Sequence, residues 1–281
     1  MRNEVEVAVA QVGNVEWLDT QANVGQMVED IAAIAAEGPS DLIVFPELIV
    51  QGYVTGRDPD FGQRYASVAE PVPGPAIEAI GRAAKRANSY VLFGMARAHP
   101  RISGVLYNSA VLLDRDGNVV HVHDKTHIPG EENHFFAAGH AIRSVACDFG
   151  RVGFSICYEG RFPEVARLLA LQGAEVYVNI WARRALPSTP PESLTSFAPM
   201  RASENRFYVV SCNRVGTENG CTYQGLSAIA DPLGTVLGQL GDEPGTLRAT
   251  LHAERIVWAR AQSPIFSDRR PDLYGDLLTT V

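Results

Sequence analysis

Residues 152–164 read VGFSICYEGRFPE, an apolar run that carries Cys157 to a sharp break before a helix begins near Pro163. Branched and aromatic side chains in the run predict a strand, and proline is favoured in the first turn of a helix. A thiol at such a strand-to-helix turn is exposed at the edge of a sheet, where backbone N–H groups stabilise negative charge. This position favours a nucleophile, although a free cysteine taken alone is more often a small buried apolar residue.

Two charged side chains stand where other strand-like runs stop. Residues 41–48 read DLIVFPEL, and the run ends at a proline that cannot donate to a sheet, so Glu47 is expected at the strand end. Residues 118–125 read NVVHVHDK, an alternating strand that ends at Lys125. Either residue alone is more commonly a solvated surface charge. Together with Cys157 they form a chemically complete set of carboxylate, ammonium and thiol.

The rest of the chain alternates strand and helix patterns. Strand-like runs lie near residues 4–12, 41–46, 90–96, 105–114, 118–124, 141–148, 151–156, 174–180, 207–213, 225–230 and 246–251. Helical patterns lie near residues 21–36, 75–88, 162–172 and 195–205. Helices interleaved with many strands predict α/β layers. No linker or repeat divides the sequence, so we expect one domain over residues 1–281.

Composition excludes several classes of function. With 281 residues, of which 46% are hydrophobic and 20% charged, the chain is long enough to bury a sizeable core. A formal charge of −8 with scattered basic residues argues against a nucleic-acid partner. No signal-peptide pattern and no membrane-length apolar run are present, which predicts no membrane partner. The four cysteines lack CxxC spacing and fit a reducing compartment, so we expect a cytoplasmic protein.

At these residues the sequence resembles the nitrilase superfamily of carbon–nitrogen hydrolases. The resemblance runs from AVAQV through FPEL, YNSAVLLDRDG, HDKTHIP, ICYEGRFPE and RASENRFYVVSCNRVG to GLSAIADPLG. It implies a four-layer αββα sandwich, with Glu47 as general base, Lys125 as oxyanion stabiliser and Cys157 as nucleophile. It also implies a second glutamate between the lysine and the cysteine. Glu132 fits the family spacing best, and Glu131 is the alternative.

The chemistry of an amide explains this set of residues. An amide carbonyl is a poor electrophile, so an enzyme must supply a thiolate, stabilise the oxyanion and protonate the leaving amine. Lys125 and the backbone N–H of Tyr158 are the expected oxyanion donors, and Glu132 is expected to compensate the lysine charge. The ordinary pKa of a glutamate is about four units below that of a thiol, so Glu47 is a weak base toward Cys157 unless its own pKa is raised. The site must therefore enclose and desolvate Glu47. We therefore expect a buried, narrow pocket that needs no cofactor.

Candidate substrate-binding residues are Tyr53, Tyr158, Trp181, Arg183 and Arg184. The last three belong to residues 179–197, NIWARRALPSTPPESLTSF, a region that lines the pocket in similar proteins. Trp181 is expected to contact an apolar acyl group, and either arginine is suited to pair bidentately with a substrate carboxylate. A solvated loop is the alternative for both arginines.

Two residues beside the nucleophile bear on the substrate. Arg161 is expected to lock the turn by a salt bridge with Glu164, and substrate binding is the alternative. The segment PESLTSF resembles N-carbamoyl amino acid amidohydrolases, but this chain has Gly160 where those enzymes place an additional arginine. That difference weakens the case for carboxylate recognition.

The histidines around Lys125 form a candidate metal site. His121 and His123 lie on one face of the strand, and His127 and His134 follow, so these histidines are candidate zinc ligands. A lysine in the middle of this cluster and the lack of a defined third ligand favour polar side chains at the rim of the site. We therefore expect no metal.

The sequence predicts a hydrolase that cleaves the non-peptide C–N bond of a small amide or N-carbamoyl compound and releases ammonia. One alternative is a nitrilase, which Tyr158 disfavours because nitrile-hydrolysing members usually have tryptophan at that position. The other alternative is a non-catalytic interaction or regulatory protein. Similar proteins pair through helices, so the resemblance implies a homodimer or higher homo-oligomer. Residues 252–281 are either a tail that reaches the partner subunit or a tail folded on its own subunit.

Overall fold

Strands and helices alternate through the chain. The computed structural model describes residues 1–54, 60–186 and 190–279, and for Glu131 the backbone only. The strands are β1 (Glu4–Gln11), β2 (Leu42–Val44), β3 (Tyr90–Ala98), β4 (Leu106–Leu113), β5 (Val119–Asp124), β6 (Ser144–Cys147), β7 (Gly150–Ile156), β8 (Val176–Ile180), β9 (Tyr208–Cys212), β10 (Val215–Glu218), β11 (Cys221–Gln224), β12 (Ala228–Ala230), β13 (Val236–Gln239) and β14 (Gly245–His252). The helices are α1 (Thr20–Glu37), α2 (Phe61–Val68), α3 (Pro75–Ala87), α4 (Pro163–Leu171), α5 (Glu192–Thr195), α6 (Phe197–Asn205) and α7 (Ala253–Gln262).

Twelve of the strands form two mixed six-stranded sheets of the same pattern, and β10 and β11 pair in a separate two-stranded sheet. The first sheet has the order β14-β1-β2-β3-β4-β5, and the second has the order β13-β12-β9-β8-β7-β6. In each sheet three consecutive parallel strands are flanked by antiparallel ones: β1, β2 and β3 in the first, and β7, β8 and β9 in the second. Strands β2, β5, β7 and β8 therefore have their ends at fixed places along the two sheets. Side chains that follow different strands can meet there.

Alternation of side chains along the strands produces four layers. One face of each sheet contributes to a shared core, which includes Val7, Val9, Val44, Phe154, Val178 and Val210. The opposite face of the first sheet packs on α1 and α3 through residues such as Ala8, Ile43, Met27 and Ile80. The opposite face of the second sheet packs on α4 and α6 through residues such as Tyr177, Leu169 and Ala202. The predicted αββα sandwich is confirmed.

Local signals account for the element ends. The Asp19 side chain accepts a hydrogen bond from the Ala22 N–H at the start of α1. Helix α3 begins with Pro75 at its first position and ends at Asn88 in the left-handed conformation. No helix in the described ranges is both long and apolar enough to cross a membrane.

Sequence periodicity missed the shorter elements. The predicted helices and strands have counterparts in the structure, but α2, α7, β10, β11 and β13 were not predicted. Helix α2 is a short segment that buries Phe61 and Tyr65 in an aromatic cluster, which sequence spacing over eight residues does not reveal. The predicted helix at 195–205 corresponds to α6, and the short helix α5 before it was not predicted either.

The C-terminal segment divides into two parts. Helix α7 packs on its own subunit, because Ile256 is buried in the core between the sheets and Arg260 donates to the carbonyls of Ala174 and Arg206. The residues after it are more exposed, including Leu273 (67% exposed), Leu277 (66%) and Leu278 (90%). The first part of residues 252–281 is therefore folded on the subunit, and the apolar residues of the last part are free to contact a partner.

Candidate active site

Three charged side chains, two from strand ends and one from a short 3-10 helix, meet inside the molecule. Lys125 Nζ lies 2.8 Å from Glu47 Oε1 and 2.8 Å from Glu132 Oε2. Glu47 and Lys125 are fully buried, and Glu132 is 4% exposed. Glu47 follows β2 and Lys125 follows β5, which run in the same direction in the first sheet. The two residues therefore emerge at the same edge, as the strand-end argument predicted.

Backbone contacts hold Glu47 in a defined orientation. Its Oε2 accepts the Ala182 N–H at 2.8 Å, and its Oε1 accepts from Asn108 Nδ2 at 2.7 Å. The chain after β2 passes directly over Gly94, where an added Cβ would lie 2.6 Å from the Glu47 Cα. Only glycine permits this approach, so Gly94 is part of what positions the carboxylate.

Glu132 lies in a short 3-10 helix over Gly130–His134. Tyr53 donates a hydrogen bond from its hydroxyl to Glu132 Oε1, while Oε2 faces Lys125. Both carboxylate oxygens are thus occupied, and the lysine is held between two acids. Glu132, the residue favoured by spacing, is the second glutamate of this cluster, and the side chain of Glu131 lies outside the described part of the structure.

Cys157 stands at a sharp turn directly after β7. Its φ of 49° is in the left-handed region, and a 3-10 helix over Cys157–Arg161 leads into α4. Such strain in a residue other than glycine persists only where its surroundings hold it, and it exposes the side chain at the sheet edge. The Tyr158 N–H lies in the first turn of this helix, where backbone donors have no partner within the helix.

Glu159 ties this turn to the segment that carries Lys125. One carboxylate oxygen accepts the Ile156 N–H at 2.7 Å and faces His123 Nε2 at 2.8 Å, and the other accepts the Thr126 N–H at 2.8 Å. Burial raises the pKa of Glu159, but His123 and the hydrogen bonds from Thr126 outweigh it and lower that pKa to about 2. The nucleophile turn and the lysine are therefore joined through one fully buried anion.

The protonation states follow from burial and charge. Burial raises the pKa of Glu47, although Lys125 opposes the rise. Burial alone would lower the pKa of Lys125, but the two glutamates outweigh it and raise that pKa. Burial, then the negative charge of Glu47, raise the pKa of the Cys157 thiol. The resting site thus holds a neutral thiol beside a carboxylate base and a permanent cation.

The thiol borders a narrow cavity of about 140 Å³. Of the predicted substrate-binding residues, all five line it: Tyr53, Tyr158, Trp181, Arg183 and Arg184. Trp181 is buried and donates from Nε1 to Ser211 Oγ at 3.0 Å, so its ring forms a fixed wall. Arg184 contacts Cys221 Sγ at 3.6 Å. The cavity is small and Glu47 is fully buried, as the mismatch between thiol and glutamate requires.

The expected salt bridge of Arg161 beside the nucleophile needs correction. Arg161 is exposed, lines the cavity and forms no ion pair with Glu164 within the described residues, so Glu159 and not that salt bridge holds the turn. At Gly160 an added Cβ would lie 2.1 Å from Asn179 Nδ2. No side chain fits there without displacing Asn179, which explains why this position is glycine here.

The histidines near Lys125 have other partners. His123 is buried against Glu159, and His127 stacks on Phe162 with ring centroids 4.1 Å apart. Across residues 1–54, 60–186 and 190–279 no group of three His, Cys, Asp or Glu side chains has a geometry able to hold a metal ion. The polar side chains at the rim of the site are thus engaged with neighbouring protein groups.

Sequence reasoning assigned no role to Asn108 and Glu159, which the structure brings to the site. Asn108 is a fully buried polar residue in β4, and its amide contacts Glu47 at 2.7 Å and Glu132 at 3.4 Å. The available signal was a polar residue within the apolar run LYNSAVLL. For Glu159 the signal was an acidic residue two positions after the nucleophile, in a turn too tight to leave it solvated.

This arrangement of a strained cysteine, a buried lysine and two glutamates on an αββα sandwich defines a carbon–nitrogen hydrolase. Residues 6–261 match the family model described as carbon-nitrogen hydrolase, and the chain belongs to that family, the nitrilase superfamily. An (R)-stereoselective amidase from a Pseudomonas species is 33% identical over 92% of this chain and 89% of its own length. A nitrilase from Pyrococcus abyssi is 31% identical over 96% of this chain and 99% of its own.

A solved structure extends the comparison to chemistry at the cysteine. A variant of the amidase from Nesterenkonia sp. AN1, 25% identical to this chain, superimposes with a TM-score of 0.83 and covers 99% of both chains. That structure shows covalent addition of the acetamide moiety of fluoroacetamide at the active-site cysteine.

Proposed function

We propose that this protein hydrolyses the C–N bond of a small carboxamide or N-carbamoyl compound through a thioester on Cys157, releasing ammonia from a primary amide. The observation that carries the proposal is the contact of Lys125 Nζ with both Glu47 and Glu132 beside a cavity that Cys157 borders. A structural ion pair needs no adjoining thiol in a strained turn, whereas acyl transfer needs all of these groups.

The first half-reaction forms the thioester. The neutral thiol of Cys157 gives its proton to Glu47 as the sulfur bonds to the carbonyl carbon. The oxygen of the tetrahedral intermediate gains negative charge, which the Lys125 ammonium and the Tyr158 N–H stabilise. Glu47 then passes the proton to the nitrogen, the C–N bond breaks and ammonia leaves.

The second half-reaction returns the enzyme to its starting state. Glu47 takes a proton from water as the water oxygen attacks the thioester carbon. The same two donors stabilise the second oxyanion. The C–S bond breaks, the proton returns to the sulfur, and a carboxylic acid leaves. Glu132 keeps Lys125 charged throughout, and its hydrogen bond from Tyr53 fixes its orientation.

Substrate contacts are assigned from the lining of the cavity. Trp181 is rigid and apolar, which suits the acyl group, and Tyr53 and Tyr158 flank the thiol. Arg183 and Arg184 supply positive charge to the lining. These contacts support amides and N-carbamoyl compounds alike, so substrate preference is a question for kinetics.

Ammonia release tests the proposal. Native protein, Cys157→Ala and Cys147→Ala are compared on a panel of small amides, ω-amides, N-carbamoyl amino acids, N-carbamoyl amines and nitriles. Cys147 is the last residue of β6 and pairs with Gly150 at the start of β7, so it is the matched thiol control. We expect release that is lost in Cys157→Ala and kept in Cys147→Ala.

The other outcomes separate the alternatives. Turnover of nitriles without the matching amides would identify a nitrilase. No turnover of any compound, together with a Cys157 thiol that resists alkylation in the native protein, would favour a non-catalytic protein and contradict the proposal.

The proposal includes a homodimer. Exposed apolar side chains lie on α4 and α6, two helices that contact each other on the outer face of the second sheet: Leu168 (45% exposed), Leu171 (44%) and Met200 (52%). A second copy of the chain is the partner that would cover them. Sedimentation should give a dimer that Leu171→Glu weakens, and a monomeric native protein would contradict this part. The cytoplasmic location stays a prediction.

A further inference from the structure

Arg183 is a buried cation with no acidic partner in the part of the chain that the structure describes. Its backbone is held on both sides, because its N–H donates to Asn213 Oδ1 at 3.0 Å and its carbonyl accepts from the Gln224 N–H at 3.2 Å. The side chain is only 8% exposed, and Nη2 donates to Ser193 Oγ. Its Nε has no hydrogen-bond partner, and no carboxylate pairs with it within the described ranges.

The cavity beside Cys157 adjoins a second cavity of about 210 Å³. The two share three walls, Arg161, Trp181 and Arg183. Among the described residues, every charged side chain lining either cavity is an arginine, with no aspartate or glutamate. The space that leads away from the thiol is therefore positively charged.

Only part of this positive charge is compensated by the protein. Arg201 pairs with Glu204 at 2.9 Å and also donates to the Gly160 carbonyl. Arg183 lacks such a counterion, and burial, then the nearby charge of Arg161, lower its pKa. A buried guanidinium with an open donor is costly unless an anion satisfies it. A bound anion would meet both Arg183 and Arg161.

We propose that the space between Cys157 and Arg183 binds a carboxylate of the substrate, so that the preferred substrates are small amides or N-carbamoyl compounds that carry a carboxylate away from the reacting carbon. This inference rests on the proposed function. A planar guanidinium matches the two oxygens of a carboxylate, and the Trp181 wall accommodates the connecting methylene groups. Gly160 has no room for a side chain, so no cation can stand at that position, and Arg183 is the buried guanidinium that both cavities share.

Matched pairs of compounds test this subsite. Glutaramate is compared with pentanamide and succinamate with butanamide, which places the carboxylate on the acyl side. N-carbamoyl-β-alanine is compared with propylurea, which places it on the amine side. A charge-assisted hydrogen bond predicts a ratio of kcat/KM, charged over neutral, of roughly 10 to 100 in the native protein for the side that the subsite serves.

Variants at Arg183 assign the effect. Arg183→Met should lower this ratio at least tenfold, and Arg183→Lys, which keeps charge without the planar fork, should lower it less. Arg101→Met, at an exposed position outside both cavities, should leave the ratio unchanged. A native ratio near one for all three pairs, or a ratio that Arg183→Met does not change, would overturn the inference. If Arg183→Met fails to fold, Arg183→Lys alone decides.

Two further measurements separate this inference from the proposed function. Hydrolysis of neutral amides with no preference for charged ones contradicts the subsite alone. If no compound is hydrolysed, calorimetry with Cys157→Ala compares glutaramate with pentanamide, and equal or absent binding contradicts the subsite. Inhibition of the native protein by glutarate is compared with inhibition by inorganic phosphate, and stronger inhibition by phosphate would show that the subsite is not built for a carboxylate.

Discussion

Replacing Glu159 by glutamine should destabilise the fold and slow turnover together. Burial raises the pKa of Glu159, but His123 and the hydrogen bonds from Thr126 outweigh it and bring that pKa from an ordinary 4.5 to about 2. Each pKa unit corresponds to about 1.4 kcal/mol, so the buried charge contributes about 3 kcal/mol to the free energy of unfolding at neutral pH. Glu159→Gln keeps the shape and loses that contribution. Turnover should fall because the turn that carries Cys157 is no longer tied to the Lys125 segment.

The pH dependence gives this prediction a sign. Because the folded pKa is below the unfolded one, the contribution is fully present above pH 4.5 and is lost as pH falls from 4.5 toward 2. Urea unfolding followed by circular dichroism should therefore show a difference between native protein and Glu159→Gln that is constant from pH 7 to pH 5. At pH 3.5 the difference should shrink by about 1 kcal/mol.

The matched control for this experiment is Glu164→Gln, at an exposed position in the first turn of α4. We expect it to change the free energy of unfolding by less than about 0.5 kcal/mol. An effect of Glu159→Gln that is no larger than this, or a difference that does not depend on pH below 4.5, would refute the reasoning.

Three more predictions concern the buried cluster. Because burial raises the pKa of Glu47 above 4.5 and the glutamates raise that of Lys125 above 10.5, kcat/KM should fall on the acid side at a pH above 4.5 and stay level from pH 7.5 to 9. Tyr53→Phe removes the hydrogen bond to Glu132 and should lower kcat about tenfold in steady-state assays, with little change in melting temperature. Gly94→Ala places a Cβ 2.6 Å from the Glu47 Cα and should reduce activity by roughly a hundredfold or more while destabilising the protein by about 1 to 3 kcal/mol.

Controls and contradicting results differ among the three. A rate that already declines between pH 7.5 and 9 would mean that a group other than Lys125 titrates in the mechanism. Tyr107→Phe, outside the site, is the control for Tyr53→Phe, and equal effects of both would contradict a role of the Glu132 contact. Gly25→Ala, whose added Cβ meets no atom within 4 Å, is the control for Gly94→Ala. A fully active Gly94→Ala variant would show that the third prediction is wrong.

Local sequence was sufficient for the strand ends and for the residues that stand on them. The runs before Glu47, Lys125 and Cys157 each read as strands, and the structure ends β2, β5 and β7 within three residues of them. Proline and glycine near these ends act through backbone conformation, which neighbouring residues determine. The family resemblance added Glu132 and the stacking order of the layers, neither of which follows from periodicity.

Only the tertiary structure decided which groups touch. The Ala182 N–H reaches Glu47 across 135 positions of sequence, and Tyr53 reaches Glu132 across 79. Glu159 and Thr126 are joined only because the turn after β7 lies against the end of β5. Such contacts depend on how two sheets stack through a shared core, and hydrophobic burial in that core is non-directional. The pattern of apolar residues therefore predicts that the layers form, while the pairing of polar atoms between them is set by the packed geometry.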